Sequence, residues 1–527
     1  MANLPETVDC LIIGTGIAGL TAAIAASKTG KSVRLITAAE SPVASNTALA
    51  QGGIIYQSLE GDPDNLISDI MKAGANQNYP RAVSQLAVLG PKLVKKILLD
   101  QIKVPFDRND GGDYNLTLEG AHGAARILHR GDESGLAIEN SLYEYCLTQP
   151  TIQFAVKTTA VNLLMTSFHA NNVSDRYDET RCFGAFVYDQ SSGRVTPVYA
   201  HHTILATGGL GQVYLHNTNS KFARGDGVAL AHRAGCRLTN LEYVQFHPTT
   251  FYQPSGRRFL ISEAMRGEGG ILIDADGQRF MGKHLKDFKT PELAPRDKVA
   301  RAIHEEMLSS QSPCVYLDIS HKPAEWIKER FPFIYRSCLA RGVDITIEPI
   351  PVVPGAHYHC GGVWVDLEGR TSVNGLWAVG EVACTGVHGA NRLASTSLLE
   401  GLVWGHQAGN AIQENLKGTP QPKLPEVEPW QYQSSQVDSS FLRQDWQTLK
   451  QTMWNYVGLI KTETRLRRAQ GIITELENGI ESFYRRAVLS DELIGLRHAC
   501  LTSRLVLKAS IRNPKSLGCY QREDWEI

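Results

Sequence analysis

Gly14-Thr15-Gly16-Ile17-Ala18-Gly19 is the first segment of the sequence whose residue types and spacing could do chemistry. Glycines at this spacing leave backbone amides and a helix N-terminus open to a pyrophosphate, with no side chain blocking its approach. The spacing alone is a weak signal, but here it follows an apolar strand and opens an Ala-rich helix, which points to dinucleotide binding. The next strand ends at Thr37-Ala38 without the acidic residue that ordinarily meets the ribose, so ribose recognition must follow another pattern. Farther along stand Glu119, His247, Glu263, Arg266, Arg296, His357 and Arg392 near glycine-rich segments. Taken singly, such residues are most often solvated charges or strand partners. His357 and His359 are two apart on a candidate strand and Cys360 follows, so they could share one face. No third and fourth ligand suggest themselves nearby, and no metal site is expected.

These residues need elements to hold them. Cys10 to Ile13 form an apolar run suited to a parallel strand covered on both faces, and Ile17 to Ser27 favour helix. Lys28 and Gly30 close that helix, and Val33 to Ile36 resume as strand, giving a βαβ unit. Thr203 to Gly209 and Gly375 to Glu381 have the same strand-into-glycine character. If both complete the first sheet, the residues between them hold an inserted domain. The polar residues 169–180 read as an exposed hairpin loop. Pro420, Pro422, Pro425 and Pro429 read as an extended linker, and the proline-free stretch from Trp430 to Asn513 has helical apolar spacing. The fold class expected is α/β: a discontinuous Rossmann-like domain (1–244 and 347–425), an inserted α+β capping domain (245–346) and a C-terminal helical bundle (426–527).

Composition narrows the classes. A chain of 527 residues has core to spare, and 53 Lys plus Arg against 54 Asp plus Glu give a net charge of −1, with no global pull toward nucleic acid or anionic lipid. Ten Cys without a CxxC pair argue against a disulfide framework, a zinc ribbon, an iron–sulfur cluster or a c-type haem, and suit a reducing cytoplasm. No Lys or Arg precedes the first apolar stretch, so no secretory signal is expected. The uncharged stretch from Cys10 to Ser27 is nearly long enough to span a bilayer, but its three glycines favour the nucleotide turn, and no membrane anchor is expected.

Six motifs occur in order: Ser45-Asn46-Thr47-Ala48-Leu49-Ala50-Gln51-Gly52-Gly53-Ile54, Gln245-Phe246-His247-Pro248-Thr249, Glu263-Ala264-Met265-Arg266-Gly267-Glu268-Gly269, Ala294-Pro295-Arg296-Asp297, His357-Tyr358 with Gly361-Gly362, and Gly389-Ala390-Asn391-Arg392-Leu393-Ala394-Ser395. From about residue 8 to about residue 525 the chain resembles the succinate dehydrogenase and fumarate reductase flavoprotein family, and within it the branch that oxidises aspartate. The resemblance implies FAD, with Gly14, Thr15, Gly16, Ala18, Gly19, Asn46, Thr47, Ala50, Gln51, Gly52, Gly53, Asp226, Glu381, Ser397 and Leu398 at its contacts. Respiratory members carry Ser-His-Thr in the first motif, and that histidine bonds FAD covalently. Asn46 stands there in this chain and cannot make the bond, so noncovalent FAD is expected.

The implied substrate is L-aspartate, which has two carboxylates and one ammonium. Arg296 and Arg392 supply planar forks, His247, His357 and Ser262 supply further donors, and Glu119 in Leu118-Glu119-Gly120 matches the carboxylate placed near the amino group. Ser262 replaces the Thr frequent at this position, keeping the hydroxyl. In the family Arg296 is linked to proton transfer at the substrate carbons, and Glu263 with Arg266, three apart on one helical face, could relay for it. His359, His201 and His202 match no motif position and are read as structural. Ser516 to Asp524 resembles a terminal family segment but has Leu517 and Tyr520 where Arg and His stand. The activity implied is oxidation of L-aspartate to iminoaspartate with oxygen or fumarate as acceptor, the first step of de novo NAD biosynthesis, functionally linked to quinolinate synthase. A soluble fumarate reductase or succinate dehydrogenase-type flavoprotein uses the same dicarboxylate clamp and is the alternative.

Overall fold

The computed structural model describes residues 6–56, 63–254, 256, 258–417 and 423–524. Its central sheet has seven strands. In spatial order six of them are Ile152–Ala155, Val33–Ile36, Glu6–Ile13, Arg194–Leu205, Cys182–Asp189 and Thr158–Met165, and Leu376–Ala378 pairs in parallel with the end of Arg194–Leu205. The two strand-into-glycine segments therefore do close onto the first βαβ unit, one on each side of the inserted domain. The helix Ile17–Ala26 is buried along its whole length, which is why it is Ala-rich rather than amphipathic. It lies against the helix Thr396–Asn415, and Gly405 and Gly409 allow the approach: a Cβ at either would sit 2.5 Å from the carbonyl oxygen of Ala18 or Ala22. A 3₁₀ turn, Ser27–Thr29, follows the first helix, and Gly30 terminates it at φ 75°, as read from the sequence.

The inserted domain has its own apolar core, including Phe251, Met265, Leu272, Ile303, Leu317 and Ile350. Its antiparallel sheet runs Val244–Phe251, Ile350–His359, Val315–Asp318, Ile271–Ile273. This sheet continues past the boundary read at 346, because Ile350–His359 bonds to strands on both sides of it and carries the cap as far as His359. The C-terminal region is three long helices, Ser439–Val457, Glu463–Tyr484 and Asp491–Arg512. The segment read as an exposed hairpin loop at 169–180 does join two antiparallel strands and is largely exposed, and between those strands the short helices Thr166–His169 and Val173–Tyr177 form, with Asn172 capping the second by accepting from Ser174 N. Pro420 and Pro422 lie outside the described residues; Pro425 and Pro429 lie outside helix and strand. Among the described residues no helix is long and apolar enough to cross a membrane, and no group of three or more His, Cys, Asp or Glu could hold a metal ion.

Candidate active site

One elongated cavity runs from the glycine turn to the seam between the central sheet and the cap. At one end the wall is backbone. Gly14 has φ 119°, and a Cβ there would sit 2.0 Å from the Ala206 carbonyl oxygen, so only glycine lets the first strand meet its neighbour at this turn. A Cβ on Gly19 would reach 2.3 Å from the Gly14 oxygen, which ties the helix to the turn. Thr47 Oγ1 accepts from Ile17 N at 3.0 Å, replacing the side-chain cap that Gly16 cannot provide. Gly14, Thr15, Gly16, Ala18, Asn46, Thr47, Ala50, Gln51, Gly52, Gly53, Glu381, Ser397 and Leu398 all line the cavity. Gly19 lies behind it and acts through packing.

Asp226 is not among the residues lining this cavity. Its carboxylate pairs with Arg224 at 2.9 Å and lies 3.5 Å from His498, and Arg224 also meets Asp491 at 2.9 Å, which ties this segment to the C-terminal helices. Sequence reasoning missed Thr218, Asn219 and Ser220, which line the cavity. Ser220 N donates to Asn46 Oδ1 at 2.8 Å, and the run of polar residues Asn217 to Ser220 was the available signal.

The cavity fits FAD on grounds beyond the glycine spacing. Gln51 Oε1, Thr207 Oγ1 and Asn219 Oδ1 are buried at its wall with no partner in the protein. The first turn of the helix Thr396–Asn415 faces it through Ser397 and Leu398, and the second through Gly401, so the positive end of that helix favours negative charge there. Asn46 offers an amide, already engaged with Ser220 N and 3.5 Å from Glu381 Oε2, where a covalent link would need a nucleophile. Burial pushes the Glu381 carboxyl up to about 7, although it accepts from His359 N at 3.0 Å.

The other end is polar and charged. Ser262 caps the short helix Glu263–Gly267, accepting from Ala264 N, and its side of the cavity also carries Glu263. Arg296 begins the helix Arg296–Ser310, and its Nε donates to Glu263 Oε2 at 2.5 Å. Arg266 sits behind that pair, off the cavity wall, 3.7 Å from Glu263 Oε2 and donating to the Glu292 carbonyl. Burial works to raise the Glu263 pKa, but Arg296 and Arg266 overcome it and hold the carboxyl at about 2. His247 and His357 come from adjacent strands with ring centroids 5.2 Å apart. His357 Nδ1 is 2.8 Å from Thr218 Oγ1, and His247 Nδ1 is 3.2 Å from the Thr249 backbone. Burial, then the neighbouring guanidinium groups, hold both imidazoles well below 6.5, so both are neutral donors at pH 7.

Arg392 and Glu119 complete the set. Arg392 Nη1 donates to Ser397 Oγ at 3.0 Å, and Arg296 Nη1 and Arg392 Nε are buried donors without a protein partner. Glu119 Oε2 accepts from Ser395 Oγ at 2.6 Å. Burial pushes the Glu119 carboxyl above its ordinary range against the pull of Arg296 and Ser395. Ser395, assigned no role from sequence, is held at φ 54° before the helix Thr396–Asn415. The structure thus brings Glu119, His247, Ser262, Glu263, Arg296, His357 and Arg392 to one wall. His359 instead points Nε2 at the Leu241 carbonyl, 3.2 Å away, and His202 lies 3.3 Å from Trp377 Nε1, both structural.

Comparison with known proteins places the whole chain among flavoproteins. The family described as FAD binding domain matches residues 9–398. An L-aspartate oxidase of Pseudomonas aeruginosa is 40% identical over 530 residues, covering 98% of this chain and 95% of that protein. One of Halobacterium salinarum is 40% identical over 519 residues, covering 98% and 97%. Among solved structures, the FrdA chain of a mutant E. coli quinol fumarate reductase superposes with a TM-score of 0.87 at 28% identity, covering 99% of this chain and 92% of that one. Mycobacterium smegmatis Sdh1 gives 0.83 at 30%, covering 99% and 90%. With a glycine cradle and two guanidinium groups in one cavity, and relatives of this identity along its whole length, the chain belongs to the L-aspartate oxidase family of FAD-binding flavoproteins.

Proposed function

We propose that this protein oxidises L-aspartate to iminoaspartate with FAD as its cofactor. The observation that carries the reading is the presence, in the cavity that holds the glycine cradle, of two guanidinium groups with unspent buried donors and, besides Glu263, which is paired with Arg296, the carboxylate Glu119. Two carboxylates and one ammonium match that set, and succinate would leave Glu119 without a cation. Bound FAD supplies the two-electron acceptor for the hydride that leaves the alpha carbon. The chain does the rest. Arg392 and Arg296 hold the carboxylates, with neutral His247 and His357 and the Ser262 hydroxyl as further donors, and Glu119 holds the ammonium. As the carbon–nitrogen double bond forms, the ammonium loses a proton, and Glu119, its pKa raised by burial, is the base in reach. Glu263 fixes the Arg296 fork through Nε and leaves Nη1 for the substrate. Cap residues Leu260, Ser262, Glu263 and Arg296 cover the substrate end of the cavity, where they limit the access of water.

The electron acceptor that completes the cycle is oxygen or fumarate. Iminoaspartate hydrolyses readily, which suits a cytoplasmic role as first step of NAD biosynthesis, with quinolinate synthase as consumer of the product. The likeness to fumarate reductases favours fumarate reduction as the second reading. Anaerobic titration of the yellow protein separates the two: L-aspartate should bleach the flavin, and bleaching by succinate alone would overturn the proposal.

A further inference from the structure

Arg392 has few fixed partners for a group that must present a planar fork. Beyond the Ser397 hydroxyl, the surface that sets its plane is the Tyr358 ring, 4.5 Å from Arg392 Cζ. Tyr358 is held in turn by more than packing. Its hydroxyl donates to Glu400 Oε2 at 2.8 Å, and His388 Nε2 is 3.0 Å from the same oxygen and 3.1 Å from Tyr358 Oη. Thr385 donates to Glu400 Oε1 at 2.5 Å. All four side chains are buried, Glu400 completely. They converge from three places: the cap strand Ile350–His359, the turn after Ala383–Cys384, and the helix Thr396–Asn415.

A carboxylate at a fully buried helix position costs stability unless every lone pair is met. Here burial would raise the Glu400 pKa, and His388, Thr385 and Tyr358 overcome it and hold the group below its ordinary range. Glu400 has no contact with the cavity, and nothing in the steps above uses it. Its reach into the site is through Tyr358. A phenol that donates to a carboxylate gains electron density in its ring and cannot rotate freely, so the face under Arg392 becomes both more attractive to a cation and fixed in direction.

We propose that Glu400 is a positioning residue which, through the Tyr358 hydroxyl, locks the plane of Arg392 toward the substrate carboxylate. This inference rests on reading the pocket as a dicarboxylate site. Its mark is on binding rather than on the hydride step, because Arg392 holds a group that does not react.

The test uses the FAD-loaded full-length protein and its Tyr358→Phe and Glu400→Gln variants. Flavin content and melting temperature are recorded for each. Binding is read with fumarate, which oxidised flavin cannot reduce, by the change in flavin absorbance, and KM and kcat are read with L-aspartate. Tyr358→Phe keeps the ring and loses only the hydroxyl. It should weaken fumarate binding and raise KM by about tenfold, with kcat changed less than about threefold. Glu400→Gln should move the same two quantities in the same direction. If it fails to fold, Tyr358→Phe carries the test, since it leaves Glu400 with His388 and Thr385. Unchanged fumarate affinity in a flavin-loaded Tyr358→Phe protein would overturn the proposal, as would a loss of flavin that accounts for the loss of binding. Wild-type protein that neither binds fumarate nor is bleached by L-aspartate would remove the dicarboxylate reading itself, and the proposal with it.

Discussion

Glu263 Oε2 lies 2.5 Å from Arg296 Nε, although the two residues stand 33 positions apart and on separate helices of the cap. The pairing spends one donor of Arg296 and leaves Nη1 buried and open. It also makes each group depend on the other: Glu263 is held near 2 by Arg296 and Arg266, and against the effect of burial Arg296 is raised by Glu263 and Glu119. Arg296→Leu should abolish aspartate turnover, by about a thousandfold or more. Flavin should stay bound, because the glycine cradle is at the other end of the cavity. Stopped-flow reduction with L-aspartate measures it, and retained turnover would remove Arg296 from the chemistry.

Glu119 is the residue on which the choice of substrate turns. Glu119→Gln keeps a hydrogen-bond acceptor and loses the charge, and kcat/KM for L-aspartate should fall by about 30-fold or more, the usual cost of losing one partner of a buried charge pair. Affinity for succinate should not fall with it. The sign with pH follows: the carboxyl lies above its ordinary range, so acidification protonates it, and kcat/KM for L-aspartate should decline as pH falls through that raised pKa. A profile unchanged by Glu119→Gln would assign the decline to another group.

The two active-site imidazoles should be silent at neutral pH. Both are held well below 6.5, so neither should add a step to fumarate binding between about pH 6 and 8, and any dependence there should come from the raised carboxyls Glu119 and Glu381 and persist in His357→Asn. A step near 6.5 that disappears in His357→Asn would show a protonated imidazole and contradict the neutral pair.

Arg224 joins the FAD-binding domain to the C-terminal helices by meeting Asp226 and Asp491 at 2.9 Å each. Arg224→Met leaves Asp226 buried without its main cation and should lower stability by about 3 kcal/mol, read by thermal or denaturant unfolding. Asp226 is held well below the ordinary carboxylate range despite its burial, so this contribution is full above that range and is lost as pH falls through the folded-state pKa. The wild-type and variant stabilities should therefore converge in acid.

Much of this protein was legible along the chain because its signals are local. The glycine turn, the apolar strand before it, the helix and Gly30 after it are set by backbone sterics within a few residues, and the sequence placed all of them. The ordered motifs pointed to FAD and to the residues of one pocket. Other features needed the tertiary structure, because they depend on partners distant in sequence. The cap sheet runs on to His359 because Ile350–His359 finds two partner strands more than thirty residues away, which no periodicity announces. The pairing of Asp226 with Arg224 and its approach to His498 on a C-terminal helix are likewise visible only in the folded chain. Ser395 and Glu119, 276 positions apart, meet at 2.6 Å only when the sheet closes. The sequence by itself determined which groups are present; burial and proximity, which exist only in the folded chain, decided their charge and direction. That is why His247 is neutral, Glu119 is raised and Arg392 lies over the Tyr358 ring.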